Sequence, residues 1–225
     1  MKILIGGDSW GCGEWGFNNQ NQYGILHHGL EKYLKDDGYL VTNTSSGGSS
    51  NKDSITRLKN ALNFDPDIIL WFQSDPLRDN RPYDNFTTIC NTWDNLINYN
   101  DSLLIENYKS LNDIGKKIYC IGGCSKIKTN LIGEFPNLIP LIKSVPEFLY
   151  EDYKHPEIWI SDWIKIIDKL DSNVLKQLEK HKDKQDRLNQ HFGKYTEYFW
   201  PDGRHPNRLG HLKIYEYFKL VMCLA

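Results

Sequence analysis

Short, almost wholly apolar runs alternate with stretches whose apolar residues recur every three or four positions. Lys2 to Gly6 predicts a buried strand, Tyr39 to Asn43 a second, and Asp67 to Gln73 a third with no solvent-facing side. Lys117 to Ile121, closed by Gly122-Gly123, predicts a fourth strand, and Leu138 to Leu141 a poorer fifth among prolines. Between them, helical spacing predicts helices over Tyr23 to Asp36, from Asp53 through Phe64, and from about Ile89 to Ile114. Ser45, Ser46, Ser49 and Ser50 read as turn and cap residues, with Asn51 or Asp53 capping the helix that follows. Further helices are expected over Ile158 to Leu170, Ser172 to His191 and Asn207 to about Met222. Strand–helix alternation of this kind implies a three-layer α/β/α sandwich around a mainly parallel sheet of about five strands.

Length and composition narrow the picture. With 225 residues the chain suits one domain, 1–225, in which the charged stretch around 155–192 is a surface insertion or small helical cap. A net charge of -2 offers no basic face for nucleic acid, and no apolar run reaches the ~18 residues of a membrane span. Ile3 to Ile5 is too short for the apolar segment of a signal peptide, and five cysteines without framework spacing suit a reducing compartment. A cytoplasmic location is the resulting expectation. The scattered histidines other than His205 lack partners at ligand spacing, so neither a metal nor another cofactor is expected.

In open parallel sheets, ligands bind beyond the carboxyl ends of the strands. Three loops fall there: Gly7-Asp8-Ser9 after the first strand, Thr44 to Asn51 after the second, and Gln73-Ser74-Asp75 after the third. A serine hydroxyl becomes a nucleophile when an imidazole takes its proton, and a carboxylate usually holds that imidazole in one tautomer. Asp202-Gly203-Arg204-His205 places an acid and a base three residues apart, just ahead of the last helix. Ser9, Asp202 and His205 are therefore candidate nucleophile, orienting acid and base. Backbone N–H groups at Ser9 and in the Gly47-Gly48 loop suit the oxyanion of a tetrahedral intermediate.

Gly7-Asp8-Ser9, the string Asn43 to Gly48, and Asp202-Gly203-Arg204-His205-Pro206-Asn207 with Gly210 beyond resemble three sequence blocks of the SGNH/GDSL hydrolase family, in the family's order. The resemblance implies a flavodoxin-like α/β fold and serine esterase chemistry. Ser9 is then both nucleophile and first oxyanion donor, Gly48 the second donor, and Asp202 and His205 the acid and base. The remaining block departs from the family's Gly-x-Asn-Asp. Phe72-Gln73-Ser74-Asp75 puts Ser74 where the third oxyanion donor, an asparagine, is expected, with the Gln73 amide as the neighbouring substitute. Trp10, Trp15, Asp75, Trp200 and Arg204 are the expected substrate contacts.

The expected partner is a small ester or an acetylated glycan, because tryptophan faces beside a catalytic serine stack well on sugar rings. Two other readings remain open on the residues alone. One is a catalytically weak or inactive glycan-binding or structural module on the same fold, to which the altered block points. The other is an acyltransferase.

Overall fold

The computed structural model describes residues 1–123, 125–153, 157–158, 172–177, 197–199 and 205–224. Five parallel strands form the central sheet: β1 (Lys2–Gly6), β4 (Leu40–Asn43), β5 (Ile68–Gln73), β6 (Ile118–Gly122) and β7 (Leu138–Ile142), in the order β4-β1-β5-β6-β7. The strand order reverses direction between β1 and β5. Loops leaving the carboxyl ends of two such neighbours diverge to opposite sides and open a crevice, which is where α/β sheets bind ligands.

Side-chain alternation along the inner strands sorts the core into two layers. Ile3, Ile5, Ile68, Leu70, Phe72, Tyr119 and Ile121 face one side. There they pack on Leu30 and Leu34 of α2 (Gly29–Asp36) and on Ile214 and Phe218 of the C-terminal helix α8 (Arg208–Leu224). Leu4, Ile69, Trp71, Ile118 and Cys120 face the other. Their partners are Ile55 and Leu58 of α3 (Asn51–Asn60) and Leu104, Tyr108 and Leu111 of α5 (Trp93–Asn112). Both faces of β1, β5 and β6 are covered, which explains why these strands read as continuous apolar runs. Short helices α6 (Thr129–Ile132) and α7 (Val145–Leu149) flank β7, whose Pro140 is tolerated because β7 is an edge strand.

The structure departs from the expected elements in three places. Tyr23 to Asp36 is not one helix. Tyr23–His27 is a strand, β3, paired antiparallel with β2 (Glu14–Phe17) in a separate two-stranded sheet, and α2 begins only at Gly29. Gly29 has φ +48°, and a Cβ there would lie 2.5 Å from the buried His211 ring, so the chain turns in a conformation that glycine alone adopts easily. The long helix expected from Ile89 is split into α4 (Phe86–Ile89) and α5. The Thr92 hydroxyl accepts from the Asn95 N–H at 3.1 Å and so starts α5 anew. Ser50, rather than Asn51 or Asp53, caps α3 by accepting from the Asp53 N–H.

Residues 172–177 are helical, as the spacing predicts, and Val174 is buried against a third cluster that includes Leu77, Phe86 and Leu96. The rest of the proposed cap around 155–192, apart from residues 157–158, lies outside the described residues. Among the described residues no helix is long and apolar enough to cross a membrane.

Candidate active site

β1 ends in a turn that cannot carry side-chain bulk. Gly7 has φ +153°, and a Cβ on it would lie 2.6 Å from Cβ of Phe72 on the adjacent β5. Asp8 then caps the four-residue helix α1 (Ser9–Cys12), its Oδ1 accepting from the Trp10 N–H at 3.0 Å. Ser9 thus sits at the first position of α1, half-exposed beyond the carboxyl end of β1.

The other end of the chain comes back to this point. Phe199 bridges to Pro206, the Asn207 N–H donates to the Tyr198 carbonyl at 2.8 Å, and Asn207 Oδ1 accepts from the Gly210 N–H to open α8. In the turn so held, His205 Nε2 lies 2.9 Å from Ser9 Oγ, across 196 positions of sequence. That separation suits a serine hydroxyl donating to an imidazole nitrogen. Asp202, Trp200 and Arg204 lie outside the described residues.

The glycine-bearing loop after β4 is lashed to the Ser9 turn. The Ser46 N–H donates to the Gly7 carbonyl at 3.2 Å, and Asn43 Nδ2 donates to the Gly11 carbonyl at 2.9 Å. Arg57 of α3 spans the junction by donating to the carbonyls of Thr44 and Gly7 and to Ser49 Oγ. Gly48 is exposed with φ +73° and nothing within 4 Å of where a Cβ would stand. Among the described residues, the N–H groups of Ser9 and Gly48 are paired with no protein acceptor.

Two expected oxyanion donors are engaged elsewhere. Gln73 is fully buried on the α5 side of the sheet. Its amide nitrogen donates to Ser125 Oγ at 3.1 Å and to the Lys126 carbonyl at 3.0 Å, while its Oε1 accepts from the Tyr108 hydroxyl at 2.7 Å. Both N–H bonds are used, so Gln73 has none left for an oxyanion. Ser74 is also fully buried. Its Oγ lies 2.8 Å from Asp8 Oδ2 and 3.1 Å from the Ser49 carbonyl, and it accepts from Arg78 Nη1 at 3.0 Å. A hydroxyl has one proton, and here the buried Asp8 carboxylate is its nearest acceptor. Arg78 completes the group as an ion pair with Asp8 at 3.3 Å. The altered block therefore braces the Ser9 turn from below. Asn51 joins it by bonding both the N–H and the carbonyl of Ser74.

The expected substrate contacts divide in the same way. Trp10 is 2% exposed and packs edge-on against Phe199, and Asp75 is wholly buried and caps a 3-10 turn through the Leu77 N–H. Neither reaches the surface. Trp15 does: its indole N–H donates to the Ser9 carbonyl at 2.8 Å, and its ring lies 5.9 Å from the His205 ring. The thiol pKa of Cys12, close to Ser9 in sequence, is pushed up to about 12 by burial first and by Asp8 second, so the thiol stays protonated near neutrality.

Several residues around the Ser9 turn had not been singled out in the sequence: Arg57, the Glu14–Arg208 ion pair that ties β2 to α8 at 3.2 Å, and Tyr23 of β3. Only the hairpin announces itself in the sequence. Alternation in Trp15-Gly16-Phe17 and again in Tyr23-Gly24-Ile25, around the turn-rich Asn18 to Gln22, is a hairpin pattern.

No protein-family model matches the chain, and no curated protein does. Among solved structures, the chain is similar to a psychrotrophic esterase from Pseudoalteromonas sp., at 13% identity and a TM-score of 0.46, covering 99% of this chain and 96% of that one. It is likewise similar to a lipase/acylhydrolase from Enterococcus faecalis, at 16% identity and a TM-score of 0.45, covering 97% and 94%. A member of the lipolytic G-D-S-L family from Veillonella parvula aligns at 12% identity and a TM-score of 0.43 over 99% and 98%.

Proposed function

We propose that this protein hydrolyses a carboxylic ester through an acyl-enzyme on Ser9. The observation that carries the reading is the 2.9 Å approach of His205 Nε2 to Ser9 Oγ at the carboxyl end of the sheet, where β1 and β5 part. Ser9 Oγ attacks the ester carbonyl carbon as His205 takes the hydroxyl proton, giving a tetrahedral oxyanion. The N–H groups of Ser9 and Gly48 receive the oxyanion. Collapse breaks the bond to the alcohol oxygen, which leaves with the proton from His205. Water, deprotonated by the same imidazole, then releases the acid and restores Ser9. Asp202, three residues before His205, is the proposed partner of the second ring nitrogen, holding the tautomer that accepts from Ser9. No cofactor takes part. The proposed substrate is an O-acetyl ester of a carbohydrate, because the Trp15 ring lies beside His205.

With Gln73 and Ser74 both engaged in the scaffold, no side-chain donor from that block reaches the oxyanion. One such donor is worth about 2.7–4 kcal/mol of transition-state stabilisation, so turnover is expected to be modest. The same observation favours the second reading, a glycan-binding module without efficient chemistry. Hydrolysis of p-nitrophenyl acetate and butyrate by the wild type, Ser9→Ala and His205→Ala separates them. The esterase reading expects turnover that both substitutions abolish in folded protein. Equal rates in all three would refute it.

A further inference from the structure

The β2–β3 hairpin contributes nothing to the central sheet, yet it stands against the Ser9–His205 pair. Its register pairs Phe17 with Tyr23, Gly16 with Gly24 and Trp15 with Ile25. Since side chains alternate along a strand, Trp15, Phe17, Tyr23 and Ile25 share one face, and the other face carries Gly16 and Gly24. On the apolar face, rings follow one another outward from His205: Trp15 at 5.9 Å from the imidazole, Tyr23 stacked on Trp15 at 5.8 Å and 27°, and Phe17 at 5.2 Å from Tyr23. Exposure rises along this row. Trp15 is half-buried, whereas Tyr23 is 48% and Phe17 55% exposed. Exposed aromatic rings in a continuous row leading to a reactive pair are a surface with an occupant to explain.

The tip of the hairpin indicates which occupant. Asn18, Asn19, Gln20, Asn21 and Gln22 are all side-chain amides and all exposed. Asn18 closes the turn by accepting from the N–H groups of Gln20 and Gln22. Asn19, Gln20 and Asn21 are exposed in the turn that joins Phe17 to Tyr23. In a chain that is 25% charged, no Asp, Glu, Lys or Arg occurs between Glu14 and Glu31. An anionic or cationic ligand would find no Asp, Glu, Lys or Arg among the ring-bearing positions or at the tip of this arm, and an acyl chain would gain nothing from its rim of amides. Uncharged amides hydrogen-bond hydroxyl groups in both directions, and flat rings cover the C–H face of a pyranose.

We infer that the hairpin is a glycan-binding arm: it seats a neutral oligosaccharide across Tyr23 and Phe17 so that an ester on that glycan reaches Ser9. Trp15 forms the inner end of the platform and the Asn19–Asn21 amides its outer edge. The inference rests on the ester-hydrolase reading of Ser9 and His205, and it adds that the alcohol side of the ester is an extended sugar chain bound outside the crevice.

The test uses Tyr23→Ala, Phe17→Ala and their double variant, assayed on p-nitrophenyl acetate, p-nitrophenyl octanoate and chemically O-acetylated tetrasaccharides of the cello-, xylo-, manno- and chito- series. Each ring removed is expected to lower kcat/KM on the preferred acetylated tetrasaccharide about three- to tenfold, mainly through KM, while p-nitrophenyl acetate changes less than about twofold. Equal losses on all substrates, no loss on the tetrasaccharides, or a loss confined to the octanoate would each overturn the arm. So would hydrolysis of p-nitrophenyl acetate with no turnover of any acetylated tetrasaccharide. If the wild type hydrolyses nothing, the failure lies with Ser9, and the arm is judged by saturation-transfer NMR with the unacetylated tetrasaccharides. Transfer that Tyr23→Ala removes supports it, and no transfer to the wild type overturns it.

Discussion

Replacing Ser74 by alanine distinguishes a scaffold residue from an oxyanion donor, because the two roles predict opposite balances of stability and turnover. The hydroxyl is fully buried, 2.8 Å from Asp8 Oδ2, with Arg78 Nη1 donating to it at 3.0 Å. Removing it takes away one hydrogen bond to a buried carboxylate, an interaction worth about 1.5–3 kcal/mol. Asp8 keeps Arg78 at 3.3 Å and the Trp10 N–H at 3.0 Å, which pulls the cost toward the lower figure. In a chain of 225 residues this corresponds to a Tm lowered by roughly 3–12 °C. Turnover should fall less than about tenfold, through loosening of the turn that presents Ser9. A direct oxyanion donor would behave differently, with kcat down about 100- to 1000-fold and Tm nearly unchanged. Differential scanning fluorimetry and p-nitrophenyl acetate kinetics on Ser74→Ala decide between them. A large kcat loss at constant Tm would refute the assignment of Ser74 to the Asp8–Arg78 group.

Two further outcomes follow from the packing around the same turns. Gly7→Ala brings a Cβ to 2.6 Å from Phe72, so β1 or β5 must shift; about 1–3 kcal/mol of stability should be lost, read as a lower urea midpoint, and an unchanged midpoint would contradict the close packing. His211 is wholly buried, and desolvation, reinforced by the His27 and His205 charges, lowers its pKa from 6.5 to about 4. The neutral ring is therefore the form the fold favours. Its contribution is complete above pH 6.5 and is lost as pH falls through 6.5 toward 4, amounting to about 3 kcal/mol. Urea unfolding across that window should show the decline, and His211→Leu should flatten it; an unchanged slope in the variant would exclude His211 as its source.

What could be read from the sequence follows what each segment buries. β1, β5 and β6 are covered on both faces and stand out as apolar runs, and Ser9 and His205 could be paired because each lies where the chain must turn beside a recognisable element. The hairpin carries an alternation signal over Trp15 to Ile25, but a competing one overlies it, because Ile25, Leu26, Leu30, Tyr33 and Leu34 also satisfy helical spacing. Strand gives way to helix at Gly29, where φ is positive and the His211 ring leaves no room for a Cβ. Gln73 differs for another reason. The resemblance aligns Ser74 with the donor position and leaves the Gln73 amide as its neighbouring substitute, whereas strand alternation groups Gln73 with Ile69 and Trp71, on the side where the Tyr108 hydroxyl donates to its carbonyl. The engagement of Ser74 with Asp8 joins residues 66 positions apart, a proximity set by the β1–β5 pairing and invisible to local pattern. Asp202 belongs to the pattern read from the sequence but lies outside the described residues.

The central claim is that His205 activates Ser9, and the most direct test is covalent capture. The folded wild type is treated with a fluorophosphonate and its peptides are mapped by mass spectrometry, in parallel with His205→Ala. The account predicts one phosphonyl adduct, on the peptide that carries Ser9, formed at least 100-fold more slowly in the variant. An unlabelled Ser9 in folded protein, or labelling that proceeds equally without His205, would contradict it.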